Sequence, residues 1–458
     1  MTEDLSALPA LVRFLPGFIK RRIVDRPSLI KILDNIGWLF FDKILRMGVG
    51  LLVGVWVARY LGPEQFGLFN FATAFVWLFG ALAGMGLQGI VVRDLVRNPS
   101  GKEDTLGTAA AMQFVGGLVA YALILVTIFW MRSGDALTIL IVSILGSAML
   151  FKGSDVVLYW FESQVQSKYA VWVQNSVFLI FATIKVALIL RNASVVAFVW
   201  ATVAEAFAVS LLLIVALSLH GIRIQRLRIN VLRAKFLFIE SWPLLFSSLV
   251  LMVQARIDQI MLGQMVGDAE VGYYSAALRV IEVATISATI LRSTFLPGMV
   301  AAKNKSDVLY LSKLEKIYKI NALVAIVIAL PLAILSPWII NMLFGEEYQS
   351  SGTLMQLMTV RLFFAHIGVA RGIFLLNENL LRYSAFTMVV GTALNIVLNY
   401  YLIPCYSGFG ATIASLFSFF ITIFAIDYCY DKTRGNAKMI LKSIITCYSV
   451  ISKKNLAL

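Results

Sequence analysis

The sequence has few charged residues, cysteines and histidines for its length. Only 14% of its 458 residues are charged, against about 25% in a typical soluble domain. The three cysteines (Cys405, Cys429 and Cys447) have no metal-like spacing, which predicts free thiols. His220 and His366 are too few and too far apart for a metal site. We therefore expect no metal and no cofactor, and no cleavable signal peptide is visible.

Apolar residues make up 60% of the chain, in repeated blocks of about twenty residues with few charges. This pattern predicts a polytopic helical membrane protein and excludes a soluble enzyme, a nucleic-acid-binding domain and a disulfide scaffold. Apolar runs separated by short polar segments predict twelve membrane spans. They are 36–58, 66–92, 106–130, 136–158, 169–190, 193–219, 237–262, 271–297, 320–343, 351–376, 383–403 and 408–428.

The basic residues indicate how these spans are oriented. The net charge of +14 could suggest a nucleic-acid partner, but lysine and arginine also accumulate in cytoplasmic loops. With the N-terminus in the cytoplasm, cytoplasmic segments hold 27 lysines and arginines, whereas the opposite side holds only Arg59, Arg132 and Arg191. The split predicts two cytoplasmic termini and no nucleic-acid partner.

The same reading divides the chain into five segments. They are a basic cytoplasmic arm (1–35), a six-helix bundle (36–219), a basic linker (220–236), a second six-helix bundle (237–428) and a cytoplasmic tail (429–458). The longest external loops, 263–270 and 344–350, are too short for an external active site. This argues against a membrane glycosyltransferase or polymerase. No P-loop is present, so transport energy must come from an ion gradient, the membrane potential or the substrate gradient.

An internal repeat relates the two halves. The segment from Gly62 to Phe69 follows span 1, and a similar segment from Gly267 to Tyr274 follows span 7, at an offset of 205 residues. Gly67 matches Gly272 at this offset, and each glycine is interpreted as a turn residue. Because each half has six spans, both halves enter the membrane from the same side. We expect a pseudo-two-fold axis along the membrane normal and a central cationic cavity.

Several ionisable residues fall near the middle of predicted spans, where a charge needs a partner or a wet cavity. The midplane set comprises Arg46, Glu205, Arg279, Glu282 and Arg361. Arg256 and Asp258 fall near the outer end of span 7 and point to different faces. Lys185 is expected to snorkel and Arg371 to lie at the cytoplasmic interface.

Two interpretations of these charges stay open. Asp42 with Arg46 at i+4, and Arg279 with Glu282 at i+3, could neutralise each other between packed helices. Alternatively, the charges mark a transport pathway. Arginines outnumber acids in the midplane set, and guanidinium groups bind phosphate through two parallel hydrogen bonds. The surplus favours an anionic substrate.

Several motifs resemble the Wzx polysaccharide flippases. They are ValAlaArgTyrLeuGlyProGluGlnPheGlyLeuPhe (57–69), ArgAsp (93–94), TyrTrpPheGluSerGln (159–164), LysTyr (168–169) and ArgIleAspGlnIleMetLeuGly (256–263). The match runs over most of 30–430. The wider superfamily includes multidrug and toxin extruders and the lipid II flippase. The resemblance implies a transporter with alternating access, coupled to protons, sodium or the membrane potential.

The resemblance also implies a substrate and a location. The substrate would be an undecaprenyl-pyrophosphate-linked oligosaccharide that crosses the bacterial inner membrane, with membrane lipids, a polysaccharide polymerase and chain-length proteins as candidate partners. Binding residues are assigned from depth and charge. Arg46, Arg256, Arg279 and Arg361 are expected to bind substrate, and Asp42, Glu205, Asp258 and Glu282 to couple ions or balance charge. The alternatives are an ion-coupled antiporter of drugs or metabolites and a scaffold in polysaccharide assembly.

Overall fold

The computed structural model describes residues 27–448, and side chains from residue 34. Helices dominate these residues, and no strand occurs among them. The helices are α1 Pro27–Leu78, α2 Gly80–Gly84, α3 Gln88–Arg97, α4 Lys102–Met131, α5 Ala136–Gly146, α6 Asp155–Ser163, α7 Lys168–Leu190, α8 Val195–Leu219, α9 Val231–Met265, α10 Asp268–Lys303, α11 Asp307–Phe344, α12 Gln349–Met358, α13 Val360–Asn377, α14 Leu381–Phe420, α15 Ile426–Cys429 and α16 Asp431–Ile445. Short 3₁₀ segments and one π-helical turn, Ile421–Ala425, connect some of them.

Ten helical stretches of the described chain are long and apolar enough to cross a membrane. Two of them, Asp34–Leu78 and Leu381–Cys429, have 45 and 49 residues. At about 1.5 Å per residue each is roughly 70 Å long, more than twice the hydrocarbon thickness of about 30 Å. Each contains one non-helical residue, Gly62 or Ser407, inside a loop predicted from the sequence. When these two stretches are divided at Gly62 and Ser407, the ten stretches give the twelve expected spans of an all-α membrane protein.

Large apolar side chains remain exposed along the spans. Trp130 is 83% exposed, and Trp200, Trp338 and Leu190 are also exposed. A soluble protein seldom leaves so much apolar surface in water, whereas acyl chains cover such a surface in a bilayer. The exposed faces therefore agree with the multi-pass membrane protein expected from composition.

The helices form two compact units. The first contains the chain up to Val57 together with Phe75–Met252, and the second contains Ala58–Ala74 together with the chain from Val253 onward. Two helices, α1 and α9, contribute residues to both units. The repeat segment from Gly62 to Phe69 therefore packs in the unit that is formed mostly by the second half of the chain.

Each unit has its own apolar core. In the first, Leu87, Leu106 and Phe161 are fully buried among α3, α4 and α6. In the second, Tyr310 and Ile367 are fully buried between α11 and α13.

The glycines of the repeat divide into two kinds. Gly62 and Gly267 have φ values of 68° and 134°, so they serve as the turn residues that the sequence predicted. Gly67 and Gly272 instead lie inside helices. A Cβ on Gly67 would lie 2.7 Å from the carbonyl carbon of Asp268. The prediction that these two inner glycines are turn residues was therefore wrong, because each permits a close backbone contact.

This backbone contact is reciprocal. A Cβ on Gly272 would lie 2.8 Å from the carbonyl carbon of Pro63. Residue 63 thus approaches residue 272, and residue 67 approaches residue 268. The two pairs interchange at the repeat offset of 205. The sequence repeat therefore corresponds to a local two-fold contact within the second unit.

The end of the chain forms an additional packed helix. On α16, Ala437 and Ile440 are buried, and Asn436 accepts a 3.0 Å hydrogen bond from the hydroxyl of Tyr318. The predicted tail is therefore helical and packed against α11 up to Ile445, whereas residues 449–458 lie outside the described residues. Residues 1–26 of the predicted basic arm also lie outside them.

Candidate functional site

Five of the predicted site residues lie near one another in the second unit. Arg256 and Asp258 are on α9, Arg279 and Glu282 are on α10, and Arg361 is on α13. We call these five residues the arginine cluster. Three neighbouring helices supply it, so residues far apart in sequence form one polar region.

Asp258 is the most buried member of the arginine cluster, with 4% of its surface exposed. Its carboxylate accepts hydrogen bonds from the hydroxyl of Tyr274 at 2.7 Å, from Ser415 at 2.6 Å and from the amide nitrogen of Asn399 at 2.8 Å. The Nη1 atom of Arg361 lies 3.9 Å from Asp258 Oδ2. Three donors and one cation together compensate this carboxylate for the loss of water.

Arg361 is held at the same point by Tyr274. Its guanidinium donates a 2.8 Å hydrogen bond to the Tyr274 hydroxyl, which in turn donates to Asp258. The guanidinium also lies 5.8 Å from the ring centre of Phe419. No acid lies in its own span, as the sequence showed, and its counter-charge comes from α9.

Glu282 pairs with Arg256 rather than with Arg279. Arg256 Nη1 lies 3.3 Å from Glu282 Oε1 and 3.4 Å from the amide oxygen of Gln259. About half of the Glu282 side chain is exposed. The i+3 spacing of Arg279 and Glu282 made a local pair possible, but the structure instead forms the ion pair between α9 and α10.

Arg279 makes no ion pair and no hydrogen bond with any residue that the structure describes. Its guanidinium lies 5.5 Å from the ring centre of Phe66, at a cation–π distance. Phe66 is fully buried and contacts Tyr348 edge-to-face. The arginine cluster thus contains three guanidinium groups and two carboxylates, and Arg279 is the member whose guanidinium has no acid of the described residues within ion-pair distance.

The predicted residues of the first unit form two ion pairs. Arg46 Nε donates to Asp42 at 2.7 Å, and the guanidinium lies 5.3 Å from the ring centre of Phe178. Lys185 Nζ lies 2.8 Å from Glu205 Oε2. Lys185 therefore has an acidic partner on the neighbouring helix, which its position in the sequence did not indicate. One nitrogen of Arg46, Nη2, is buried without a hydrogen-bond partner.

Sequence reasoning missed a second buried ion pair in the second unit. Arg371 forms two 2.7 Å hydrogen bonds to Asp427, which is fully buried and also accepts a 2.8 Å hydrogen bond from Tyr383. Arg371 is 8% exposed, so it is packed inside the protein. The available signal was an aspartate near the end of the last apolar span, since such a charge needs a cation.

Solved structures of other proteins share the fold of this chain. The chain superposes on the lipid II flippase MurJ with a TM-score of 0.71 at 14% identity, covering 90% of this chain and 91% of that one. It superposes on a multidrug resistance MATE family transporter of the MOP superfamily with a TM-score of 0.63 at 15% identity, covering 90% and 96%. These superpositions show that the chain shares its fold with both of these proteins.

The family follows from the sequence comparison. The model of the polysaccharide biosynthesis protein family matches residues 32–303, more than half of the chain, so the chain belongs to that family. It is also similar to the capsular polysaccharide biosynthesis protein CapF of Staphylococcus aureus, with 21% identity over 409 residues, 87% of this chain and 99% of CapF. These matches confirm the resemblance drawn from the sequence motifs.

Proposed function

We propose that the protein flips a lipid-linked oligosaccharide across the bacterial inner membrane. The specific substrate proposed is an undecaprenyl-pyrophosphate-linked repeat unit of O-antigen or another surface polysaccharide. Membership of the polysaccharide biosynthesis family and the likeness to MurJ support this class of substrate. The headgroup would cross the membrane within the protein while the lipid tail stays in the bilayer.

The lack of an ion-pair partner for Arg279 among the described residues is the observation that carries this proposal. A cation within a membrane span raises the free energy of the folded protein unless it pairs with an acid or contacts water. Such residues usually have a functional role. Arg279 has a cation–π contact but no carboxylate partner within the described chain. A pyrophosphate group would supply the missing negative charge, because guanidinium binds phosphate oxygens through two parallel hydrogen bonds.

The other predicted residues take supporting roles in this proposal. Arg256 and Arg361 lie in the arginine cluster and would add positive potential around the diphosphate. Arg46 would supply a further contact in the first unit through its unpartnered Nη2 atom. The carboxylates of Asp258 and Glu282 would balance charge when the substrate leaves, and either could carry a coupling ion.

Asp42 and Glu205 would balance charge in the first unit. Each already has a basic partner, Arg46 for Asp42 and Lys185 for Glu205. A group that neutralises a neighbour in the resting protein can take up a proton when that neighbour binds an anion. The same logic applies to Glu282, whose partner is Arg256.

The basic residues set the proposed orientation. The linker, α16 and both termini would face the cytoplasm because lysine and arginine concentrate there. The turns at Gly62 and Gly267 would then face the periplasm. A polysaccharide polymerase and chain-length proteins are the proposed protein partners, because they act on the translocated repeat unit.

The test is complementation of surface polysaccharide in a strain that lacks its own flippase. Arg279→Ala should reduce polymer at least tenfold at equal membrane abundance, and Arg279→Lys should restore part of it because charge is kept and the bidentate geometry is lost. Arg292→Ala is the matched control, since Arg292 is exposed on the same helix. Normal polymer from Arg279→Ala would refute the proposed role of Arg279.

A second candidate function is an ion-coupled antiporter of drugs or metabolites, favoured by the likeness to the MATE family transporter. Deletion would then leave surface polysaccharide intact and change sensitivity to cationic drugs. Comparing polymer and drug sensitivity in the same deletion strain separates the two functions.

A further inference from the structure

A polar cavity lies near the beginning of α1, within the first unit. It is lined by Asp34 and Asn35 of α1, by Val165 and Gln166 of the turn between α6 and α7, and by Lys168 at the start of α7. The cavity has a volume of about 90 Å³, which is room for several water molecules or for a polar group of a ligand. In the orientation proposed above, this end of α1 and the α6–α7 turn face the cytoplasm.

Hydrogen bonds hold the α6–α7 turn in place against α1. The backbone N–H of Ser167 donates a 2.7 Å hydrogen bond to Asn35 Oδ1, which joins the turn to α1. The backbone N–H of Gln166 donates a 2.8 Å hydrogen bond to the carbonyl oxygen of Phe161. Val165 has a φ of 54°, a left-handed conformation that β-branched residues rarely adopt. Because such strain persists only where the surrounding structure holds it, the cavity wall is fixed before any ligand binds.

The polar groups of the cavity include both acceptors and donors. Asp34 supplies a carboxylate, and its Oδ1 atom has no hydrogen-bond partner among the described residues. Lys168 supplies an ammonium group that lies 5.0 Å from the ring centre of Tyr169. Gln166 adds an amide, which both donates and accepts. This mixture suits a ligand with several hydroxyl groups, because each hydroxyl donates one hydrogen bond and accepts others. A free phosphate would instead be repelled by Asp34.

Two tryptophans lie next to the cavity. Trp38 follows Asn35 by three residues on α1, and Trp172 follows Lys168 by four residues on α7, so each tryptophan shares a helix face with a residue of the cavity. The ring centres of the two tryptophans are 5.4 Å apart, and Trp172 is 58% exposed. One helical turn is about 5.4 Å, close to the width of a pyranose ring. The C–H face of a pyranose can therefore pack on the indole while its hydroxyl groups reach the cavity.

We infer that this cavity and the tryptophan pair form a binding site for one pyranose ring. The inference rests on the proposed function and adds a sugar contact to it. The site would hold one sugar of the lipid-linked oligosaccharide on the cytoplasmic side, before the headgroup crosses the membrane. The arginine cluster would act on the diphosphate, whereas this site would act on the sugar. A tryptophan that only anchors the protein at the membrane surface needs no cavity of mixed donors and acceptors beside it.

The test is saturation-transfer-difference NMR on the purified full-length protein in phosphatidylcholine nanodiscs, which contain no sugar. The probes are the methyl glycosides of glucose, galactose and N-acetylglucosamine, and the signal of empty nanodiscs is subtracted. We expect transfer to the ring protons of at least one probe. Trp172→Ala should lower this transfer at least fivefold, whereas Trp172→Phe should keep at least half of it because an aromatic face remains. Asp34→Asn should weaken the affinity for the same probe at least threefold.

Trp200→Ala is the matched control for Trp172→Ala. Trp200 is 56% exposed on α8 of the same unit and does not line the cavity, so its removal should leave the transfer unchanged. Equal transfer to the wild type and to Trp172→Ala would overturn the inference and leave Trp172 as a membrane anchor only. Absence of transfer to all three probes would also overturn it. An equal loss in Trp200→Ala would overturn it as well, because any exposed tryptophan would then give the signal.

This experiment does not depend on transport, so the two proposals can fail separately. Normal surface polysaccharide in a strain without this protein would refute the proposed function, and transfer that depends on Trp172 would still show a sugar site. Loss of polysaccharide in that strain, together with no transfer to the probes, would refute the sugar site and support the proposed function.

Discussion

The buried pair of Asp258 and Arg361 gives the sharpest prediction about stability. Asp258→Asn removes the carboxylate while Tyr274, Ser415 and Asn399 continue to direct hydrogen-bond donors at the site. An amide offers one acceptor oxygen and adds two donors, so at least one donor is left facing another. Arg361 also loses its only acid within 4 Å among the described residues.

The size of the effect follows from the distances. Two unit charges 3.9 Å apart attract by roughly 4 kcal/mol at an effective dielectric constant of about 20. Removing one partner of a buried pair typically costs about 3–5 kcal/mol, because the other charge remains buried. We therefore expect Asp258→Asn to lower the unfolding free energy by about 3 kcal/mol or more.

A double-mutant cycle with Arg361→Met isolates the pair. Removing the guanidinium together with the carboxylate leaves no uncompensated charge, so the double variant should recover about 1–3 kcal/mol relative to the sum of the single variants. Thermal unfolding of the purified protein in detergent measures each variant. Additive effects, or an unchanged melting temperature for Asp258→Asn, would refute the view that this pair compensates a buried charge.

Two further predictions concern other charged side chains. Asp427→Leu should destabilise the protein by about 3–5 kcal/mol by leaving Arg371 buried and unpaired, and Arg371→Met in the same chain should restore most of the loss, as denaturant titration would show. Asp135 lies outside the spans and caps α5. Burial raises its pKa, but hydrogen bonds from Thr138 and the charge of Arg132 outweigh this and lower its pKa below the usual value. Its stabilising effect is therefore complete above about pH 4 and is lost as the pH falls through the lowered pKa. Asp135→Ala should cost about 1 kcal/mol at pH 7 and progressively less in acid, and a cost independent of pH would contradict this reasoning.

The glycines of the repeat show which requirements for glycine are local and which come from tertiary packing. Gly62 and Gly267 need positive φ, a property of a turn, and the turn is visible in the sequence as a glycine between two apolar runs. Gly67 and Gly272 have helical surroundings, and their need for a missing Cβ comes from a helix that is about 200 residues away. No local pattern carries that information, although the repeat offset pointed to the pair.

The charged residues divide in the same way. Their depth in the spans could be counted from the sequence, because the rise of a helix is fixed. The partners of these charges could not be identified from the sequence. Glu282 could pair with Arg279 at i−3 or with Arg256 on α9, and only the packing of α9 against α10 favoured Arg256. The acids that pair with Lys185 and Arg371 could not be identified from the sequence for the same reason, since they lie on other helices.

The sequence by itself determined the class of structure. In a bilayer the backbone groups of a span must bond to one another, so runs of about twenty apolar residues predict helices. The twelve spans therefore followed from the order of apolar and polar residues along the chain. The tertiary structure decided which charges are neutralised, which arginine is left without an acid, and which glycines carry a backbone contact. These outcomes depend on distances between helices that are remote in sequence, and such distances are set by the packing of whole units.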